Sequence, residues 1–261
     1  MLEQLVLHTE SLAIGYSSKK DTSIISSDIN IELKQGELVG LIGANGIGKS
    51  TLLRTLTKVQ KPLSGTISLR DKHLEHYSNI DLSKVLSLVL TEHLASKNLT
   101  VFELVALGRQ PYTNWIGSLS ENDNSIVENA INAINLDELK HRKCFELSDG
   151  QLQKVMIARA LAQDTDLIIL DEPTTHLDMY HKAYILKLLK NLTESTNKTI
   201  LFSSHEIDLA LQLCDSIIVM LNDRTVQATP SDLISSGVLN ELFPEDLILF
   251  DKNSGAFRVK K

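Results

Sequence analysis

Residues 43–50 read Gly43-Ala44-Asn45-Gly46-Ile47-Gly48-Lys49-Ser50, and no other stretch constrains the fold as tightly. The run fits the pattern G-x-x-x-x-G-K-[ST]. Upstream, residues 37–42 form an apolar run with the length of a buried strand; downstream, residues 49–58 read as a helix, broken by Pro62 and Gly65. Strand, glycine-rich turn and helix in that order let consecutive backbone N–H groups curl around a phosphate. The helix N-terminus adds partial positive charge. On that geometry Lys49 reaches the β- and γ-phosphates of a nucleotide, Ser50 offers its hydroxyl to Mg²⁺, and Thr51 meets a phosphate oxygen.

Residues 166–170 are a second apolar run, followed directly by Asp171 and Glu172. A strand here buries the run and delivers both carboxylates at its C-terminal end, where ligands bind in α/β sheets. Asp171 suits a Mg²⁺ that keeps most of its waters. Glu172 is placed to polarise an attacking water as general base. With the glycine loop, the pair reads as a nucleoside triphosphatase.

The rest of the chain alternates strand and helix, so an α/β fold with a mainly parallel sheet is expected. Short β-rich runs lie at 4–8 and 29–33, and further strands at 66–69, 199–202 and 216–221; a helix covers 181–192. From 100 to 162 apolar residues recur at helical spacing, as in Val101, Leu104, Val105 and Leu107, then Ile126, Ala130, Ile131 and Ile134. The tail predicts a strand at 224–228, a helix at 231–243, and strands at 247–250 and 256–259 around the turn Asn253-Ser254-Gly255. The expected organisation is one domain: an ATP-binding core at 1–92 and 163–221, beginning with an antiparallel β part, a helical insert at 93–162, and a β/α extension at 222–261.

Composition excludes several classes. The 26 Lys and Arg against 33 Asp and Glu leave a net charge of −7, which argues against a protein that coats nucleic acid. No run approaches the ~18 apolar residues of a membrane helix. The first residues carry Glu3, His8 and Glu10 and no basic start, unlike a secretory leader. The expected location is cytosolic, with any membrane role exercised through a partner. Cys144 and Cys214 are in no metal-ligand spacing and read as reduced thiols.

The run Leu147-Ser148-Asp149-Gly150-Gln151 and everything after it to Asp178, LSDGQLQKVMIARALAQDTDLIILDEPTTHLD, resembles the ATP-binding-cassette ATPases, whose signature is LSGGQ. The resemblance implies that Ser148, Asp149, Gly150 and Gln151 open a helix and clamp the γ-phosphate held by the opposite subunit of a dimer. Asp149 departs from the usual glycine; a carboxylate there is tolerable only if it points away from the triphosphate. Thr175-His176-Leu177-Asp178 resembles the D-loop, with Asp178 facing the partner subunit. Ser203-Ser204-His205-Glu206 resembles the switch segment, with His205 bonding the γ-phosphate. Tyr16 matches the aromatic that stacks on adenine. Glu92 stands where the family has Gln, and would keep a Mg²⁺ contact while making hydrolysis more dependent on the metal; a slipped alignment is the alternative.

The stretch 98–112, NLTVFELVALGRQPY, and the closing Phe250-Asp251 and 255–259 are similar to the subgroup serving iron–siderophore, haem and cobalamin uptake. By resemblance the chain is the ATP-hydrolysing subunit of such an importer, using ATP and Mg²⁺. Its implied partners are a second copy of itself, a polytopic membrane permease and, indirectly, a substrate-binding protein, with no nucleic acid. It would sit peripherally on the cytoplasmic face of the inner membrane. Two other readings stay open: the ATPase of an importer for another metal ion or small solute, and a cassette ATPase unconnected with transport.

Overall fold

The structure is a computed structural model and describes residues 4–18, 21–90, 97–244, 247–252 and 255–260. The chain divides into two compact units, Met1–His76 with Leu189–Lys261, and Tyr77–Leu188.

The first unit opens with strands β1 (Leu5–Ser17), β2 (Thr22–Ile29) and β3 (Glu32–Lys34). β1 is far longer than the expected 4–8, because a bulge at Ser11 (φ 44°) interrupts its alternation without ending its pairing. Its first residues pair antiparallel with β3 and its last with β2. The expected run at 29–33 is split between β2 and β3 at Asn30, whose side-chain oxygen accepts the Ser11 N–H. β4 (Leu38–Gly43) is buried along its whole length, as a strand covered on both faces must be. Helix α1 (Lys49–Leu56) follows the glycine loop. It ends two residues before the expected 58: the Thr57 hydroxyl donates back to the Leu53 carbonyl, and Lys58 turns left-handed at φ 62°. β5 (Ser64–Leu69) and β6 (Lys72–His73) complete the antiparallel sheet beside β1.

The second unit holds helix α2 (Asn79–Ser83), strand β7 (Leu86–Val89), helices α3 (Val101–Ala106), α4 (Glu121–Ala133) and α5 (Asp149–Ala162), strand β8 (Leu167–Leu170) and the first part of α6 (Met179–Thr196). β7 and β8 pair in parallel. The apolar faces of α3, α4 and α5 meet through Val101, Leu104, Val105, Val127, Ala130, Ile131, Val155 and Ala158, all buried. Leu107 leaves that face and is exposed, because the chain tightens to a 3₁₀ turn at Leu107–Tyr112 and loses the 3.6-residue period. The turn aims Arg109 inward. Its Nε donates to Asp123 Oδ1 at 2.9 Å and its Nη1 to the Ala162 carbonyl at 2.9 Å, with the Tyr112 ring 3.9 Å from the guanidinium carbon. Gly108 admits this close approach: a Cβ there would lie 2.3 Å from the Arg159 carbonyl oxygen.

The chain then returns to the first unit with β9 (Thr199–Ser203), α7 (Ile207–Leu213), β10 (Ser216–Met220), β11 (Thr225–Ala228), α8 (Pro230–Ser236), β12 (Ile248–Asp251) and β13 (Ala256–Val259). β4 lies between β10 and β9, parallel to both; β11 pairs antiparallel with β10. The single helix expected over 231–243 is two segments, because Gly237 (φ 86°) stops α8 and a 3₁₀ turn follows at Val238–Leu242. β12 and β13 form the expected hairpin. The Phe257 ring packs edge-on to Phe243 and against Phe250, with both centroids 5.1 Å away.

Candidate active site

In the first unit, the glycine loop leaves the C-terminal end of β4 and His205 follows the C-terminal end of β9. The two strands are parallel neighbours, so both segments emerge at one sheet edge. Asn45 and Gly46 are exposed at the loop tip. Gly46 (φ 78°) and Gly48 (φ 113°) turn left-handed; a Cβ on Gly46 meets nothing within 4 Å, but one on Gly48 would sit 2.5 Å from Ile25 Cγ2. A Cβ on Gly43 would meet the Met220 carbonyl oxygen at 2.8 Å. Lys49 is only 6% exposed. Its Nζ lies across the loop, donating to the carbonyls of Gly43 at 2.9 Å and Ala44 at 3.2 Å. The loop thus holds an ammonium beside the first turn of α1, and Ser50 and Thr51 stand in that turn. Two positive features converge there, a cation and a helix N-terminus.

Tyr16 is exposed, and its Oη lies 3.3 Å from Thr51 Oγ1. A cleft of about 600 Å³ opens beside it, lined by Ser17, Arg54, Gln60, Lys61 and Pro62. Gln60 donates to the Gly15 carbonyl and ties down the backbone before Tyr16. Sequence reasoning missed Gln60, whose partner lies 45 residues away. Ser203 and Ser204 are buried, His205 is exposed, and the Ser204 hydroxyl accepts the Glu206 N–H at 2.9 Å.

In the second unit, the Asp171 N–H donates to the Val89 carbonyl at 2.8 Å, and its side chain is buried at the end of β8. Glu172 takes φ 48°, a left-handed conformation that costs a non-glycine residue about 1–2 kcal/mol. Thr175 Oγ1 donates to its Oε2 at 2.9 Å. Neither that strain nor that bond carries a sequence signal. Ser148 caps α5: its hydroxyl accepts the Gln151 N–H at 3.3 Å, and Gln151 Oε1 accepts the Ser148 N–H at 3.0 Å. Asp149 is exposed in the first turn of α5, and Gly150 is buried. Asp178 precedes α6 and accepts the His181 N–H at 2.9 Å. That N–H and the His181 imidazole hold its carboxyl below the usual range.

The structure therefore collects Tyr16, Gly43, Asn45, Gly46, Gly48, Lys49, Ser50, Thr51 and His205 in the first unit, and Ser148, Asp149, Gly150, Gln151, Asp171, Glu172 and Asp178 in the second. Glu92 lies outside the described residues. The candidate metal donors Ser50 and Asp171 are a hydroxyl and a carboxylate, the hard oxygen set that Mg²⁺ takes.

Curated proteins and solved structures are similar to most of this chain. The petrobactin import ATP-binding protein of Bacillus anthracis is 37% identical over 92% of this chain and 87% of that protein. The iron(3+)-hydroxamate import ATP-binding protein of Bacillus subtilis is 35% identical over 92% of this chain and 88% of that protein. A chain of a metal-chelate-type ABC transporter, solved in an inward-facing conformation, superposes with a TM-score of 0.79 at 26% identity, covering 97% of this chain and 95% of that one. A dimeric bacterial ABC transporter cassette gives 0.72 at 26% identity over 85% of this chain and 98% of that one. Since residues 26–175 also match the ABC transporter family itself, the chain belongs to that family, as one of its ATPases.

Proposed function

We propose that two copies of this chain hydrolyse ATP to power a membrane permease that imports iron chelates of the siderophore kind. The observation that carries the chemistry is the buried Lys49 ammonium held across a glycine loop at the open start of α1. The substrate class rests on the relatives, which import petrobactin and iron(3+)-hydroxamate. A permease partner follows from the importer reading. Among the described residues no helix is long and apolar enough to cross a membrane. On the importer reading, attachment is to that permease, peripherally on the cytoplasmic face.

In this reading Tyr16 stacks on adenine beside its cleft, and the N–H groups from Gly43 to Thr51 with Lys49 hold the phosphates. Ser50 and Asp171 would hold Mg²⁺, with Glu92 as a third oxygen; the ion would supply charge neutralisation for the phosphates. Glu172, oriented by Thr175, takes a proton from water, and His205 bonds the γ-phosphate. Ser148, Gly150 and Gln151 close on the nucleotide of the opposite copy, and Asp178 faces that copy. Residues 1–92 and 163–221 act as the ATP-binding core, 93–162 as the insert that meets the permease, and 222–261 as an extension of the core.

The Glu172→Gln variant tests this. It should lose about 10²–10⁴-fold in hydrolysis, the range of a general base, while ATP drives it into a stable dimer visible by light scattering. Unchanged turnover would remove Glu172 from the reaction.

A further inference from the structure

We infer that His181 is a positioning residue that ties the signature turn to Asp178, so that the two motifs meant for the opposite copy are presented together. This rests on the composite-site reading above.

One imidazole bonds Asp178 and stands beside Gly150 of the signature turn. Its Nδ1 lies 2.9 and 3.0 Å from the two oxygens of Asp178. An ionised carboxylate only accepts, so Nδ1 carries the proton. On the other side, ring Cδ2 lies 3.0 Å from where a Cβ on Gly150 would stand. Tyr180 packs edge-on against the same ring, with centroids 5.4 Å apart. The imidazole is thus held on its Nδ1 edge by a charge-assisted bond and seated by its far edge on the first turn of α5. Displacing Asp178 carries the ring with it, and the ring stands where a side chain at position 150 would have to go. Met179 and Tyr180, exposed beside this contact, leave the assembled face open to a second copy.

The two contacts separate by substitution. His181→Asn keeps a donor near the Nδ1 position and uncovers Gly150. His181→Phe covers Gly150 and loses the bond. His181→Ala loses both. Each is made in the Glu172→Gln background, and dimerisation is followed by light scattering against ATP concentration. Nucleotide binding by the monomer is followed separately with a fluorescent ATP analogue at protein concentrations too low to dimerise.

For His181→Ala, the ATP concentration at half-dimerisation should rise about tenfold, the fold-change of one lost hydrogen bond to a charged group. His181→Asn and His181→Phe should each recover part of the loss, and monomer binding should match the parent. Dimerisation of His181→Ala at the parent's ATP concentration overturns the inference. So does a proportional loss of monomer binding, which marks a merely structural role. A Glu172→Gln parent that fails to dimerise instead overturns the composite-site reading, and this inference with it.

Discussion

Helix α1 starts on Gly48 in a left-handed conformation, whereas α3, α4 and α5 start on Thr100, Ser120 and Ser148, each locked in a reciprocal capping box with Glu103, Asp123 or Gln151. A capping box satisfies two first-turn N–H groups from within the chain. A glycine cap has no side-chain oxygen to compete for them. The helix proposed to meet a phosphate thus begins without an internal acceptor at its cap, and the helices that hold the insert in shape supply their own. In the proposed reading helix α5 belongs to both kinds. Its Ser148 oxygen accepts the Gln151 N–H, which still leaves the hydroxyl proton to donate to an anion.

Several substitutions would break or sharpen this contrast. The largest effect is expected in the insert. Asp123→Ala removes the carboxylate half of the α4 capping box, which accepts the Ser120 N–H and hydroxyl, together with the partner of buried Arg109, and should cost about 3–5 kcal/mol in urea unfolding followed by circular dichroism, as for a broken buried pair. Lys49→Ala should instead leave the unfolding curve close to the parent and lower phosphate release by roughly 10²–10³-fold, the loss for one preorganised charge-stabilising donor. The glycines come next. Gly46→Ala, with open space around its Cβ, should show only the left-handed penalty of about 1–2 kcal/mol. Gly48→Ala should cost more by the clash with Ile25, and an added Ile25→Ala should recover that excess. The smallest change is expected for Ser148→Ala, about 1 kcal/mol of stability from the lost cap. A larger drop in ATP-driven dimerisation would separate its two duties.

The glycine loop was legible because its spacing is its geometry: each glycine stands where the backbone must turn left or pass close to a neighbour. Strands β4, β9 and β10 were legible because burial on both faces leaves continuous apolar runs. Side-chain contacts left no such mark. Nothing in the spacing pairs Arg109 with Asp123, Glu172 with Thr175, or His181 with Gly150, although Thr175 and Asp178 already stood inside a recognisable motif. The break of the 231–243 helix did have a signal, since Gly237 stands in its middle. The full length of β1 had none, because the bulge at Ser11 interrupts the alternation that reveals a strand.

Composite sites, built from the loop of one copy and the signature of the other, are tested most directly by mixing two dead variants. Lys49→Ala lacks the loop cation and Ser148→Arg blocks the signature turn. In a mixture, the loop of the Ser148→Arg copy meets the intact signature of the Lys49→Ala copy. ATP hydrolysis should stay at the residual level of the single variants when either is alone and rise well above it on mixing, with one working site per heterodimer. A mixture as inactive as its components, in proteins shown by light scattering to form heterodimers, would contradict sites shared between copies.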